Sequence, residues 1–266
     1  MQEIVDSAIQ VMNSIRIEKT VLREISDLRK SFLEVGGFQF IHNKCHVYGW
    51  ADVYVFYQGA VKIGYGSVWG KDNRQDRDTI FEFYLIPGYH HQASSIFSSF
   101  AQLCGAPFME CQTNDTLLAG MMFEHAADIH AQSVLFEDDT ETRLTVPGVT
   151  FNKHPYTTNH PDDRGGYVLE GDNQVMATGG FLLNYNHPFA DIYMDVKEEF
   201  RQRGLGSLMV QELKKEIYKI KRIPAARCNI KNIISRATLV KAGFRLCGYL
   251  LEGKIKNAGP LQAIHN

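Results

Sequence analysis

Apolar residues recur at helical spacing from about Ile17 to Leu33. Val21, Ile25, Leu28 and Phe32 form one stripe that stops at Gly36-Gly37, which predicts an early helix. The shorter amphipathic stretch before it, Ile4 to Ile15, is too short and polar to span a bilayer. The period then changes. Val53–Tyr57, Val61–Trp69 and Ile80–Ile86 are rich in aromatic and β-branched residues and read as strands. A helix over about Gln92–Leu103, a strand around Phe108–Gln112 and a helix over about Thr116–His125 follow.

The second half repeats that order. Tyr167–Glu170 and Val175–Leu183 read as a hairpin turning at Gly171-Asp172-Asn173, and Ala190–Val196 as a strand. From Gly204 to Lys221 a helix places Leu205, Leu208, Met209, Leu213, Ile217 and Ile220 on one face. Ala225–Ile230 is expected as a strand, Ile233–Ala242 as a helix closed by Gly243, and Phe244–Leu251 as a last strand. Tyr54-Val55 echoes Tyr167-Val168 and Cys111–Asn114 echoes Cys228–Asn232, at an offset of roughly 110 to 118 residues, as a duplication with loop drift produces. The expected division is residues 1–140 and 141–266, with the segment from Glu137 to Pro161 as connector. One mixed α/β domain with coincidental periodicity is the alternative.

Composition narrows the class. At 266 residues the chain has room for two domains, and 44% hydrophobic with 22% charged residues is ordinary for a soluble globular protein. A formal net charge of −2 speaks against a nucleic-acid partner. Five scattered cysteines suggest no disulfide framework, and the N-terminus lacks a signal sequence, so reduced thiols in the cytoplasm are expected.

Candidate chemistry concentrates at Arg201-Gln202-Arg203-Gly204-Leu205-Gly206-Ser207, between a strand and a long helix. Glycines let a backbone turn tightly and approach a ligand, and a helix start leaves N–H groups unpaired. Those donors, the helix dipole and two forked guanidinium groups suit a diphosphate. A glycine-containing turn that merely begins a helix is the plain alternative. A dinucleotide fingerprint needs a different order of glycines and an acidic residue about 20 positions on.

Together with Met194-Asp195-Val196 before the loop, Asn232-Ile233-Ile234-Ser235 after it and Lys241-Ala242-Gly243-Phe244, this loop resembles the GNAT acyltransferase superfamily. The likeness covers roughly the last 110 residues well and the first 140 only as an echo. It implies an α/β (α+β) fold of two GNAT-like domains, each a mixed, mostly antiparallel sheet flanked by helices. It also implies an N-acyltransferase that uses acetyl-CoA or another acyl-CoA, without a metal, on a small-molecule or peptide amine. By position, amides of Arg203, Gly204, Leu205, Gly206 and Ser207 would hold the CoA pyrophosphate, with Arg201 and Gln202 flanking. The strand end Met194, Asp195 and Val196 would lie along the pantetheine, Val196 pairing its main chain with it. Asn232 and Ser235 would border the same arm. Asn232 also suits a helix N-cap.

The pattern departs from the family in places. Leu239 stands where family members often carry a tyrosine able to protonate the thiolate. Positions that hold an acid or histidine in some members fall on Ala190 and Ile192. Asp191, Tyr193 and Asp195, which alternation puts on the other face unless a bulge rotates the strand, and Glu170 are the nearby candidates for catalysis; the acids read first as ordinary surface charges, and the base is unassigned. Arg227 and Asn229 share one strand face that borders the acceptor site in the family; Arg227 is expected to meet an acceptor carboxylate. The N-terminal counterpart of the loop, Ile86–Ser94, lacks both the glycine pair and arginine. A degenerate copy is therefore expected, shaping an acceptor cleft or an oligomer interface such as a homodimer. Histidines match no zinc pattern, and neither a nucleic-acid nor a membrane partner is expected. A non-catalytic acyl-CoA sensor or interaction protein is the competing function.

Overall fold

Ile15–Thr20 (β1) is a strand and not the start of a helix. Its alternating residues pair antiparallel with Ala51–Gln58 (β2), Ile17 opposite Phe56. Only after a 3-10 turn at Leu22–Ile25 does helix α1, Ser26–Val35, begin. β-Branched isoleucines two apart fit a pleated edge, and that tertiary pairing overrides the helical stripe; Val21, part of the stripe, is exposed. The computed structural model describes residues 14–39 and 42–256, so most of the Ile4–Ile15 stretch lies outside the described residues.

The described residues form two units. The first comprises 14–38, 44–130 and 251–256, the second 39, 42–43 and 131–250. This differs from a division at 140/141. The sequence reading contained no strand after His125, yet Ala126–Asp138 (β6) is one, passing from the first unit to the second at His130/Ala131. Phe244–Ile255 (β12), four residues longer than expected, returns the chain at Leu250/Leu251. The Glu137–Pro161 segment is no free connector either. Within the second unit its Leu144, Val146, Val149 and Phe151 pack on the hydrophobic core.

In the first unit the strand order is β1-β2-β3-β4-β5-β12-β6, with β3 at Val61–Trp69, β4 at Thr79–Leu85 and β5 at Phe108–Gln112. Alternation sends Phe56, Ile63 and Phe83 into one cluster with Ile96, Phe97 and Phe100 of helix α3, Ala93–Cys104. Val55, Tyr65 and Tyr84 go into another with Ile25 and Phe32. Helix α2, His42–Val47, brings His46 to the fully buried Glu82 of β4, Nε2 to Oε2 at 2.8 Å. Arg29 Nε lies 3.5 Å from the other oxygen, and Ser67 Oγ donates to Oε2 at 3.3 Å, so this interior carboxylate is compensated. Helix α4, Thr116–His125, is capped by the Asp115 carboxylate, which accepts from Leu118 N.

In the second unit the order is β7-β8-β9-β10-β11-β6-β12. Here β7 is Thr150–Lys153, β8 Asp163–Gly171, β9 Gln174–Leu182, β10 Phe189–Val196 and β11 Ile223–Asn229. Antiparallel pairing dominates both units; in the second, β10 and β11 are parallel. Helix α5, Leu205–Lys219, buries Leu205, Leu208, Met209, Leu213 and Ile217 on the sheet. Ile220 does not join that face: the helix has ended and the side chain is exposed. Helix α6, Ile233–Lys241, follows β11. Among the described residues no helix is long and apolar enough to cross a membrane.

Candidate active site

The site of the second unit begins where two parallel strands part. β10 and β11 are in register at Phe189–Ile223, Ala190–Pro224 and Asp191–Ala225 and no further. Beyond Asp191, β10 continues to Val196 paired only with β9, without a bulge. Ala190 and Ile192 therefore stay in the core beneath α5, and Asp191 and Tyr193 take the opposite face.

After Val196 the chain makes a 3-10 turn at Glu198–Phe200 and reaches α5 through two left-handed residues, Gln202 at φ +65° and Gly204 at φ +81°. A non-glycine residue in that region is strained by about 1–2 kcal/mol, which explains the glycine at the helix N-cap. No side chain caps this helix, so the N–H groups of its first turn stay available. They open onto a groove of about 810 Å³, bounded by Met194, Asp195 and Val196 at the strand end, by Arg201, Gln202 and the start of α5, and by α6 from Asn232 to Lys241.

Each expected cofactor-site residue can now be placed. Met194, Asp195, Val196, Arg201, Gln202, Gly204, Leu205, Gly206, Ser207, Asn232 and Ser235 all line the groove; Arg203 does not. Its guanidinium lies over the Phe200 ring at 5.3 Å and donates to Glu199 O at 3.2 Å, bracing the turn. Arg201 Nε donates to Val196 O at 3.1 Å, which uses that carbonyl inside the protein. Ser207 Oγ donates to Thr238 O at 3.0 Å and ties α5 to α6. Asn232 Oδ1 accepts from Ser235 N at 2.9 Å, a true N-cap. Burial pushes the adjacent Cys228 thiol up, against a lowering hydrogen bond from Ser235.

Sequence reasoning quoted Ile233, Ile234 and Lys241 as motif residues but gave them no site role; all three line the groove. Lys241 Nζ approaches Gly204 so closely that a Cβ there would stand 3.8 Å from it, adding a cation at the helix start. Ile233 and Ile234 are 74% and 77% exposed along the groove and present apolar surface to it. Helical spacing carried the signal: Lys241 is seven residues after Ile234, on the same face.

The expected catalytic residues separate. Asp191 is buried, with Oδ2 4.0 Å from Arg227 Nε. Arg227 in turn donates to Tyr185 OH at 2.9 Å. Tyr193 OH donates to Asp163 Oδ1 at 2.6 Å, and Tyr156 OH to Oδ2 of the same carboxylate at 2.9 Å. Burial first, then the bond to Asp163, pushes the Tyr193 phenol well above its ordinary range, in keeping with the hydrogen bond it donates to that carboxylate. Asp195 is exposed in the groove. Glu170 sits on β8, two strands from β10, and meets His154 Nε2 at 3.1 Å and Asn152 Nδ2 at 2.7 Å. The fold does not bring it to the groove. Asn229 Oδ1 accepts from Lys231 N at 2.9 Å and closes the turn into α6. Leu239 is buried in the core.

The matching loop of the first unit is built differently. Pro87–Gln92 winds into a 3-10 turn, and His90 Nε2 donates to the strand-end carbonyl of Leu85 at 3.0 Å. At the start of α3, Ser94 Oγ donates to the Glu124 carboxylate and meets His125 Nε2 at 3.1 Å, placing a negative charge near the helix end. Among the described residues no group of three or more His, Cys, Asp or Glu side chains could hold a metal ion.

Comparison with known proteins gives two family matches. Residues 21–139 match the acetyltransferase (GNAT) domain family, and residues 181–250 match the FR47-like protein family. No curated protein matches. Among solved structures, an acetyltransferase from the GNAT family of Colwellia psychrerythraea is similar over 91% of this chain and 100% of its own, with a TM-score of 0.73 at 14% identity. A tandem GNAT protein from the clavulanic acid biosynthesis pathway, solved without AcCoA, has a TM-score of 0.61 at 11% identity over 93% of this chain and 99% of its own. A GCN5-related N-acetyltransferase from Sphaerobacter thermophilus has the same TM-score, 0.61, and the same identity, 11%, over 91% and 96%. At such identities the likeness is one of fold.

Proposed function

We propose that this chain, whose residues 21–139 match the acetyltransferase (GNAT) domain family and whose fold is that of tandem GNAT proteins, transfers an acetyl or other short acyl group from acyl-CoA directly to an acceptor amine. The observation that carries this reading is the uncapped start of α5 opening onto the groove beside the parted strands β10 and β11. The amides from Gly204 to Ser207 would take the pyrophosphate, with Arg201 and Lys241 adding charge. The exposed Ile233 and Ile234 would cover the apolar parts of the arm, and the Asn232 amide would border it.

In the gap between β10 and β11, main-chain N–H groups not used by a neighbouring strand would polarise the thioester carbonyl as negative charge develops on it. The acceptor nitrogen must lose a proton as it attacks. Asp191, at the point where the strands part, is the carboxylate best placed on the sheet to draw it off through water. Tyr193 would act only as a hydrogen-bond donor. CoA leaves as thiolate and takes its proton from water, since Leu239 supplies none. The first unit, with His90 and Glu124 occupying the corresponding positions, is assigned no CoA. Five free thiols suit a reducing cytoplasm. The acceptor is an amine, small or peptide-borne, and bears a carboxylate if Arg227 serves as expected. Replacing Arg227 with alanine then raises the acceptor KM about tenfold and leaves the acyl-CoA KM nearly unchanged, the scale of one charge-assisted contact; equal changes in both would remove Arg227 from acceptor recognition.

Leu239, buried where a phenol could stand, favours a second reading as an acyl-CoA sensor. Titration with acetyl-CoA, then assay of thiol release with a panel of amines, tests both. Binding with amine-stimulated release supports the transferase, binding without release the sensor, and no binding defeats both.

A further inference from the structure

We infer that the first unit pairs with the first unit of a second copy of this chain through the outer edge of β1, in a two-fold dimer whose two β1 strands run antiparallel. β1 is an end strand. It hydrogen-bonds to β2 and, among the described residues, to no strand on its other side. The outward N–H and C=O groups of such an edge are a ready template for another strand.

The side chains decide which strand fits. Ile15 and Ile17 pack on the cluster that holds Phe56, Phe83 and helix α3, so odd-numbered positions of β1 share that face. Arg16 and Glu18 take the other face, with side chains 56% and 47% exposed. The Arg16 guanidinium lies over the Tyr57 ring at 4.5 Å. A two-fold axis perpendicular to the sheet maps each face onto itself, and directly opposed residues share a face. Ile17 can therefore oppose residue 15, 17 or 19 of the other copy. The first register sets Arg16 against Arg16, and the third sets Glu18 against Glu18. With Ile17 opposite Ile17, Arg16 meets Glu18 of the other copy, and symmetry makes the pair twice. Like charges directly opposed destabilise a strand pair and opposite charges stabilise it, so one register is selected.

The neighbouring groups allow that register. Within one strand Arg16 Nε lies 3.4 Å from Glu18 Oε1, which engages one corner of the guanidinium and one carboxylate oxygen. Lys19 opposes Ile15 of the other copy; its ammonium is held by Asp52 Oδ2 at 2.6 Å, which leaves its stem to cover the isoleucine. Apolar surface continues beside the edge. On α3, Phe97 meets Phe83 of β4, and Phe100 meets Tyr54 and Phe56 of β2. Helical spacing carries that progression to Leu103 on the β1 side, 55% exposed. The other end strand, β7, has four residues and a single charge, Lys153, and selects no register. A six-residue strand and one helix end bury less than the roughly 1,200 Å² at which standard interfaces begin, so a dissociation constant in the micromolar range is expected.

Sedimentation velocity of the full chain without acyl-CoA, from about 1 to about 100 μM, tests this. A concentration-dependent dimer is expected. Arg16→Glu and Glu18→Arg should each weaken it about tenfold, because two attractive pairs become two repulsive ones. Arg16→Glu combined with Glu18→Arg restores opposite charges across the two-fold axis and should return dissociation close to its original value. Both side chains are exposed, so folding is not at risk. A chain that stays monomeric at the highest concentration, a dimer indifferent to either reversal, or a double variant no better than the single ones would overturn the proposal. These measurements need neither cofactor nor acceptor, so they stand apart from whether the second unit transfers acyl groups.

Discussion

Gly204→Glu is expected to lower affinity for CoA and acetyl-CoA by about a hundredfold or more. A charge beside a partly buried helix start is worth up to ~2 kcal/mol, and here an attraction is exchanged for a repulsion. Two effects must be separated. The left-handed φ of +81° strains any residue but glycine, at about 1–2 kcal/mol of folding stability. The space is open, since a Cβ would meet nothing nearer than Lys241 Nζ at 3.8 Å and Val146 Cγ2 at 3.9 Å. Gly204→Ala thus carries the strain alone and should keep most of the affinity. Calorimetry on the three proteins decides: equal losses in both variants would mean that backbone shape matters and the anion does not, while unaltered binding in Gly204→Glu would place the pyrophosphate elsewhere.

Lys214→Met should be among the most destabilising single substitutions in the second unit, at about 3–5 kcal/mol, because it strands a charge in the interior. Lys214 is 5% exposed. Its ammonium binds Asp138, donates to Thr140 O at 2.8 Å and to Ala242 O at 3.0 Å, and lies 5.3 Å from the Phe244 ring centre. One side chain on α5 thereby holds the end of β6, the segment after it and the end of α6. Without it, Asp138 keeps, among the described residues, the Tyr218 hydroxyl at 2.6 Å. Adding Asp138→Asn to Lys214→Met should recover part of the loss, and urea denaturation of the four proteins in the cycle measures the coupling. Strict additivity would show that the pair does not act as a unit.

Much of this architecture was legible in the residues. The strand Val61–Trp69 and helix Thr116–His125 fall where periodicity and composition placed them. So does the loop from Arg201 to Ser207, because glycine, arginine and helix-start chemistry leave local marks. What escaped reading depends on partners distant in sequence. β1 looked helical because its pairing with β2 is invisible to a local period. β6 begins Ala-Ala-Asp-Ile-His-Ala-Gln, with Asp128 at φ +55°, and no alternating face announces a strand there. Gln211, one polar residue on an otherwise ordinary helix, accepts from Leu144 N at 2.6 Å and Thr142 Oγ1 at 2.8 Å. That turns an apparent linker into part of the core's cover. Arg203 looked as good a phosphate ligand as Arg201, and the Phe200 ring beneath it and its bond to Glu199 O distinguish the two.

The exchange of β6 and β12 between the units governs how the protein can be dissected. A fragment starting at residue 141 would lose the β6 stretch that pairs with β11, from Ser133 to Glu137, and would carry Leu251–Ile255 as an orphan with nothing to pair in its own sheet. A fragment ending at 140 would lack that same final strand. Both pieces would expose open ladder edges and invite aggregation. The two halves can have arisen by copying, yet neither can now be cut free with a single break.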